Sequence, residues 1–97
     1  MTVEAFRATL SRDAAPDVAP LLQALWHDAR GDWAEAHRIA QDIEDQSGAW
    51  VHAYLHRKEG DLGNAEYWYR RAKQSVATDP LEAEWDRIAT ALLTPNP

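Results

Sequence analysis

The chain has 97 residues, a formal net charge of −6 and no cysteine. That length suits one compact domain spanning residues 1–97; the charge disfavours nucleic acid as a partner, and the missing thiols exclude disulfides, thiolate zinc sites and a cysteine nucleophile. No apolar run approaches the roughly 20 residues that span a bilayer, and Thr2–Arg7 lacks the basic start and apolar stretch of a secretion signal, so no membrane partner and a cytoplasmic location are expected.

Periodicity and punctuation predict an all-α fold of about six antiparallel helices. The first covers Val3 to Ser11, with Val3, Phe6 and Leu10 on one face, and Asp13 to Pro16 form a loop. The second runs from Asp17 or Pro20 to Arg30 and the third from Trp33 to Gln46. Ser47 and Gly48 are expected to break the chain. The fourth helix then runs from Ala49 to Glu59 and the fifth from Leu62 to Ala77. Asp79 is expected to cap a sixth helix, with Pro80 in its first turn and Leu81, Trp85, Ile88 and Leu92 as its apolar stripe. This last helix, residues 80–93, reads as a cap over the open end of a stack. The tail Thr94–Pro97 is expected to fray. No segment has the alternation of a strand.

An internal repeat organises the centre of the chain. Ala24, His27, Gly31, Asp32 and Ala36 recur as Ala53, His56, Gly60, Asp61 and Ala65, every pair separated by 29 positions. Glycine just past a helix can take the left-handed conformation that ends it. The following aspartate then caps the next helix by accepting a backbone N–H. Asp32 with Glu35 makes a capping box, and Asp61 with Asn64 a weaker version of it. Two helix hairpins result, at residues 20–46 and 49–77.

The small residues Ala24 and Ala53, the Gly31-Asp32 and Gly60-Asp61 turns and the alanines Ala36 and Ala65 resemble tetratricopeptide repeats. The run Asn64-Ala65-Glu66-Tyr67-Trp68-Tyr69-Arg70-Arg71-Ala72 is also similar to the second helix of SEL-type repeats. The resemblance covers residues 20–76. The period is shorter than the tetratricopeptide's roughly 34 residues. His27 and His56 stand where the family has an aromatic residue, and the closing proline is missing from the first copy. The chain is therefore tetratricopeptide-like. The resemblance implies a scaffold for protein–protein contacts with no chemistry or cofactor of its own, and it assigns no binding residues.

Candidate site residues come from the polar arcs of the second repeat. On the fourth helix Trp50, Val51, Ala53, Tyr54 and Leu55 face one way, and His52, His56 and Glu59 the other. His52 and His56 are one turn apart, a spacing at which two imidazoles hold one metal ion, with Glu59 as a third ligand. The plainer alternative is a pair of packing or surface histidines; the matched positions of His27 and His56 point to a shared structural job. On the fifth helix Ala65, Trp68, Tyr69, Ala72 and Val76 share an apolar face opposite Tyr67, Arg70, Arg71 and Gln74. Tyr67, Arg70 and Arg71, with Arg57 and Lys58 nearby, make an aromatic and basic patch of the kind that anchors interfaces. An acidic peptide, a carboxylate or a phosphate would suit it. The bland alternative pairs these arginines with Glu59, Glu66 or the acidic last helix.

The expected function is thus a non-catalytic module that binds a protein or peptide, or itself, through the second repeat, with no cofactor. The alternative is a small-ligand or metal-binding protein using His52, His56, Glu59 and Tyr67. Catalysis has little support: there is no phosphate loop or nucleophile elbow, and the carboxylates are expected at caps and on exposed faces. The five tryptophans would argue for a homodimer if an unfilled tryptophan surface remained after folding.

Overall fold

The computed structural model describes residues 1–93, so the expected fraying of Thr94–Pro97 falls on residues outside the described ones. These residues form α1 (Val3–Ala8) continued by a 3₁₀ turn (Thr9–Ser11), α2 (Pro20–Ala29), α3 (Trp33–Gln41), α4 (Gln46–Lys58), α5 (Leu62–Ala72) and α6 (Leu81–Leu93), with no strand among them. The predicted fold class is therefore observed. The first predicted helix ends one turn early as 3₁₀ structure, because the Thr9 hydroxyl turns back onto the Phe6 carbonyl at 2.6 Å.

Both Gly-Asp turns close in the same way. Gly31 and Gly60 have φ of 86° and 88°, which a side chain disfavours. Asp32 N–H donates to the His27 carbonyl (2.9 Å) and Gly31 N–H to Asp28 (2.9 Å); Asp61 N–H donates to His56 (3.0 Å) and Gly60 N–H to Arg57 (3.1 Å). These are the paired bonds of a Schellman ending. The shared structural role of His27 and His56 thus belongs to their backbone carbonyls. The aspartates cap as expected, Asp32 Oδ1 accepting from Glu35 N–H and Asp61 Oδ1 from Asn64 N–H.

Three boundaries differ from expectation, each for a local reason. The third helix ends at Gln41, and Ser47 and Gly48 lie inside the first turn of α4. Asp45 is the N-cap there, accepting from Gly48 N–H at 2.7 Å. Gly48 is needed because a Cβ at that position would collide with the Ile43 carbonyl. The fifth helix stops at Ala72, where Lys73 adopts the left-handed conformation at φ 58°. Gln74 N–H donates to Tyr69 and Lys73 N–H to Arg70, a third Schellman ending without a glycine. Val76, expected on the apolar face of that helix, lies beyond it and is exposed. The Asp79 carboxylate, expected as a cap, is held by Arg87 at 2.5 Å.

α4 is the central helix, packed against α2, α3, α5 and α6. α6 packs across α1, α2 and α4, so it ties the two hairpins together as well as closing the fold. Trp85 stacks on Phe6 of α1 with centroids 5.6 Å apart, and its indole N–H donates to the Leu25 carbonyl of α2 (3.0 Å). Burial of Phe6, Leu25, Val51, Leu55 and Ile88 around it makes the main core. A second, smaller cluster of Ala53, Ala65 and Tyr69 joins α4 to α5, where alanines let the helices approach closely.

Candidate functional site

Of the polar arc predicted for α4, Glu59 is exposed but the two histidines are not on the surface. His52 and His56 are each only 7% exposed, because α3 and α5 cover the side of α4 that the helical wheel leaves polar. A wheel separates apolar from polar side chains but is blind to a helix enclosed on every side.

Two indoles from the flanking helices and three imidazoles meet there. Trp68 of α5 stacks on His52 with centroids 4.0 Å apart and 19° between planes. Trp33 of α3 stacks on His37 at 4.8 Å and meets His56 edge-on at 6.2 Å. His37 Nε2 lies 3.0 Å from His52 Nε2, and His37 also meets His56 edge-on at 5.3 Å. His52 and His56 stack on each other at 4.8 Å. One ring nitrogen from each of His37, His52 and His56 lies within 4.8 Å of the other two.

The expected trio of His52, His56 and Glu59 therefore changes membership. The third nitrogen comes from His37, which spacing along one helix cannot reveal because it sits on α3. Glu59 stands behind His56, its Oε1 2.6 Å from His56 Nδ1. Asn64 Nδ2 reaches the other side of that ring, 3.4 Å from Nε2. Burial pushes the His52 imidazole down to about 4, with the nearby His37 and His56 adding to the shift. Burial also lowers His37, with His56 adding to this and Glu59 opposing it. Tyr67, which the ligand-binding alternative includes, is exposed on α5 and meets Trp68 edge-on.

The basic patch also changes. Arg57 is not part of it: its guanidinium turns inward, donating to Glu84 Oε1 at 2.9 Å and to the Asp79 carbonyl. Lys58 pairs with Asp28 at 2.9 Å. Tyr67, Arg70 and Arg71 remain exposed on α5. Arg71 donates to the Tyr67 hydroxyl at 3.0 Å and lies 5.4 Å from the Trp68 ring centre. It borders a cleft of about 440 Å³ between α5 and the α3–α4 loop, whose walls include Glu44, Asp45, His52 and Trp68.

Two buried carboxylates were expected at caps or exposed faces and are not there. Glu84 is fully buried and accepts from Tyr69 Oη (2.7 and 2.8 Å), Arg57 (2.9 Å) and Trp50 Nε1 (3.3 Å). Asp28 accepts from Tyr54 Oη and Lys58 Nζ, both at 2.9 Å. Burial, reinforced by these carboxylates, raises both tyrosine hydroxyls well above their ordinary range. Each carboxylate sits at helical spacing from core residues, Asp28 after Leu21 and Leu25, Glu84 before Ile88, and that is the signal that could have found them. They hold helices together: Glu84 joins α4, α5 and α6, and Asp28 joins α2 to α4.

None of the five tryptophans is exposed; Trp26 and Trp85 are buried and Trp33, Trp50 and Trp68 are half-buried. The unfilled tryptophan surface that would argue for a homodimer is thus missing among the described residues. No helix of the described residues is long and apolar enough to cross a membrane. Neither a family model, nor a curated protein, nor a solved structure matches the chain.

Proposed function

We propose that the chain is a non-catalytic, tetratricopeptide-like interaction module of the cytoplasm that takes an acidic peptide segment on the exposed face of α5. The reading rests on charge left uncompensated in an acidic protein. Arg7, Arg38, Arg57, Lys58 and Arg87 are all paired with carboxylates. Arg30 is taken up by the carbonyls of Leu10 and Arg12. Among the described residues Arg12, Arg70, Arg71 and Lys73 have no such carboxylate partner; Arg12 stands by itself between the 3₁₀ turn and α2, whereas the other three gather at the end of α5 beside the exposed Tyr67. Pairing with Glu59, Glu66 or α6 would have neutralised the patch; Glu59 is instead engaged with His56 and Glu84 with Arg57.

Arginine offers a planar fork to a carboxylate and stacks on aromatic rings, which suits recognition of glutamate or aspartate side chains beside an apolar one. The test is fluorescence anisotropy of a labelled oligoglutamate peptide. Binding that weakens with salt and disappears in the Arg70→Glu/Arg71→Glu double variant, with helical circular dichroism intact, supports the reading. No binding by the unaltered chain up to ~1 mM peptide, or equal binding by the double variant, overturns it.

A further inference from the structure

We propose that His37, His52 and His56 bind one divalent late first-row transition-metal ion, zinc above the others. The donor set is three imidazoles, which suit zinc, copper and nickel and not magnesium or calcium. It is assembled from two helices of different hairpins, so it exists only in the folded chain.

The spacing fits such an ion. Tetrahedral zinc with bonds of about 2.0–2.1 Å holds its nitrogens roughly 3.3 Å apart. His37 Nε2 and His52 Nε2 stand 3.0 Å apart, and all three ring nitrogens lie within 4.8 Å. Opening the first pair from 3.0 Å to roughly 3.3 Å takes a small side-chain rotation, and an inward shift of His56 completes the set. The rings are already oriented, because Trp33 is stacked on His37 and Trp68 on His52.

The surroundings of His56 are those of a metal-bound imidazole. A ligating histidine commonly donates its other N–H to a carboxylate, which fixes its tautomer and raises its basicity. Glu59 Oε1 holds His56 Nδ1 at 2.6 Å, which puts the lone pair on Nε2; Asn64 Nδ2, 3.4 Å from that nitrogen, must give up this long contact when the metal binds. The sequence suggests Glu59 as a third ligand; the geometry makes it a positioning residue. The neutral state that a ligand requires is favoured by the burial that depresses His37 and His52.

Packing alone would need no such arrangement. Between His37 and His52 the two facing Nε2 atoms can share a single proton-bearing contact, so one imidazole must donate and the other accept. Replacing that proton with a metal ion lets both lone pairs point at one centre. Three protein nitrogens leave a fourth position for water or an added ligand, which distinguishes this centre from a closed structural site.

The experiment is titration of chelator-treated protein with Co²⁺ and Zn²⁺, followed by the visible absorption of tetrahedral cobalt and by calorimetry. One equivalent per chain is expected, with the cobalt bands displaced by zinc. His37→Gln and His52→Gln are each expected to weaken binding at least ~100-fold, and Glu59→Gln about 10–100-fold with stoichiometry unchanged. His37 is only half-buried, so its variant keeps the test valid if the His52 variant fails to fold. No absorption and no heat up to ~1 mM metal overturns the proposal, as does unchanged affinity in His37→Gln. Oligoglutamate binding by His37→Gln at the unaltered affinity keeps this result separate from the reading of the α5 face.

Discussion

His37 Nε2 on α3 stands 3.0 Å from His52 Nε2 on α4, a contact between residues of different hairpins that brings two imidazoles together under two indole rings. Around it stand Trp33, Trp68, His56 and a cleft bordered by an arginine. The contact has a cost in acid. Both rings are buried enough that a proton on either is disfavoured, His52 more than His37.

Metal-free protein should therefore lose stability as pH falls through the range between the two His52 values. The unfolded imidazole titrates near its ordinary 6.5 and the folded one near about 4. Between them the unfolded chain binds more protons, so stability rises with pH. The loss begins below 6.5 and is complete below about 4. Thermal melts with chelator present, from pH 7.5 down to 4.5, should show a falling Tm. His52→Gln should flatten that slope. An equal slope in the variant would assign the acid sensitivity to other groups.

Glu84 should be the costliest polar side chain to remove. It is fully buried and joins Arg57, Tyr69 and Trp50 across three helices. Glu84→Ala leaves the largely buried Arg57 charge and the Tyr69 hydroxyl without their acceptor. Breaking a buried pair from one side costs about 3–5 kcal/mol, a large part of a small domain's stability. Urea unfolding measures it; a loss under ~1 kcal/mol, the value of an exposed pair, would show that water replaces the carboxylate.

Lys73→Gly should stabilise the chain. Among the described residues Lys73 is the one non-glycine residue of positive φ, at the position Gly31 and Gly60 occupy in the other two Schellman endings. A left-handed L-residue costs roughly 1–2 kcal/mol, offset in part by the extra freedom glycine gives the unfolded chain. The expected gain is ~0.5–1 kcal/mol, read as a higher Tm. A lower Tm would mean that the lysine side chain makes a contact that outweighs its backbone strain.

How much was legible along the chain varies with the range of the interaction concerned. The repeated Gly-Asp pairs foretell both hairpin turns, since each turn is a short-range matter of one left-handed residue and one capping carboxylate. The ending at Lys73 was not legible, because nothing in a lysine announces positive φ. Gly48 was misread as a chain break because its reason is the Ile43 carbonyl, which only the packed structure places against it.

The candidate site divides along the same line. Helical spacing brings His52, His56 and Glu59 to one side of α4, and likewise Tyr67, Arg70 and Arg71 to one side of α5. Those are consequences of 3.6 residues per turn, and the sequence by itself determines them. Only the tertiary structure decides that α4 is enclosed, so its histidines are buried; that His37 arrives from α3; and that Arg57 leaves the basic face for Glu84. Each depends on which helices become neighbours. That is settled by the packing of side chains far apart in the chain, and no local period records it.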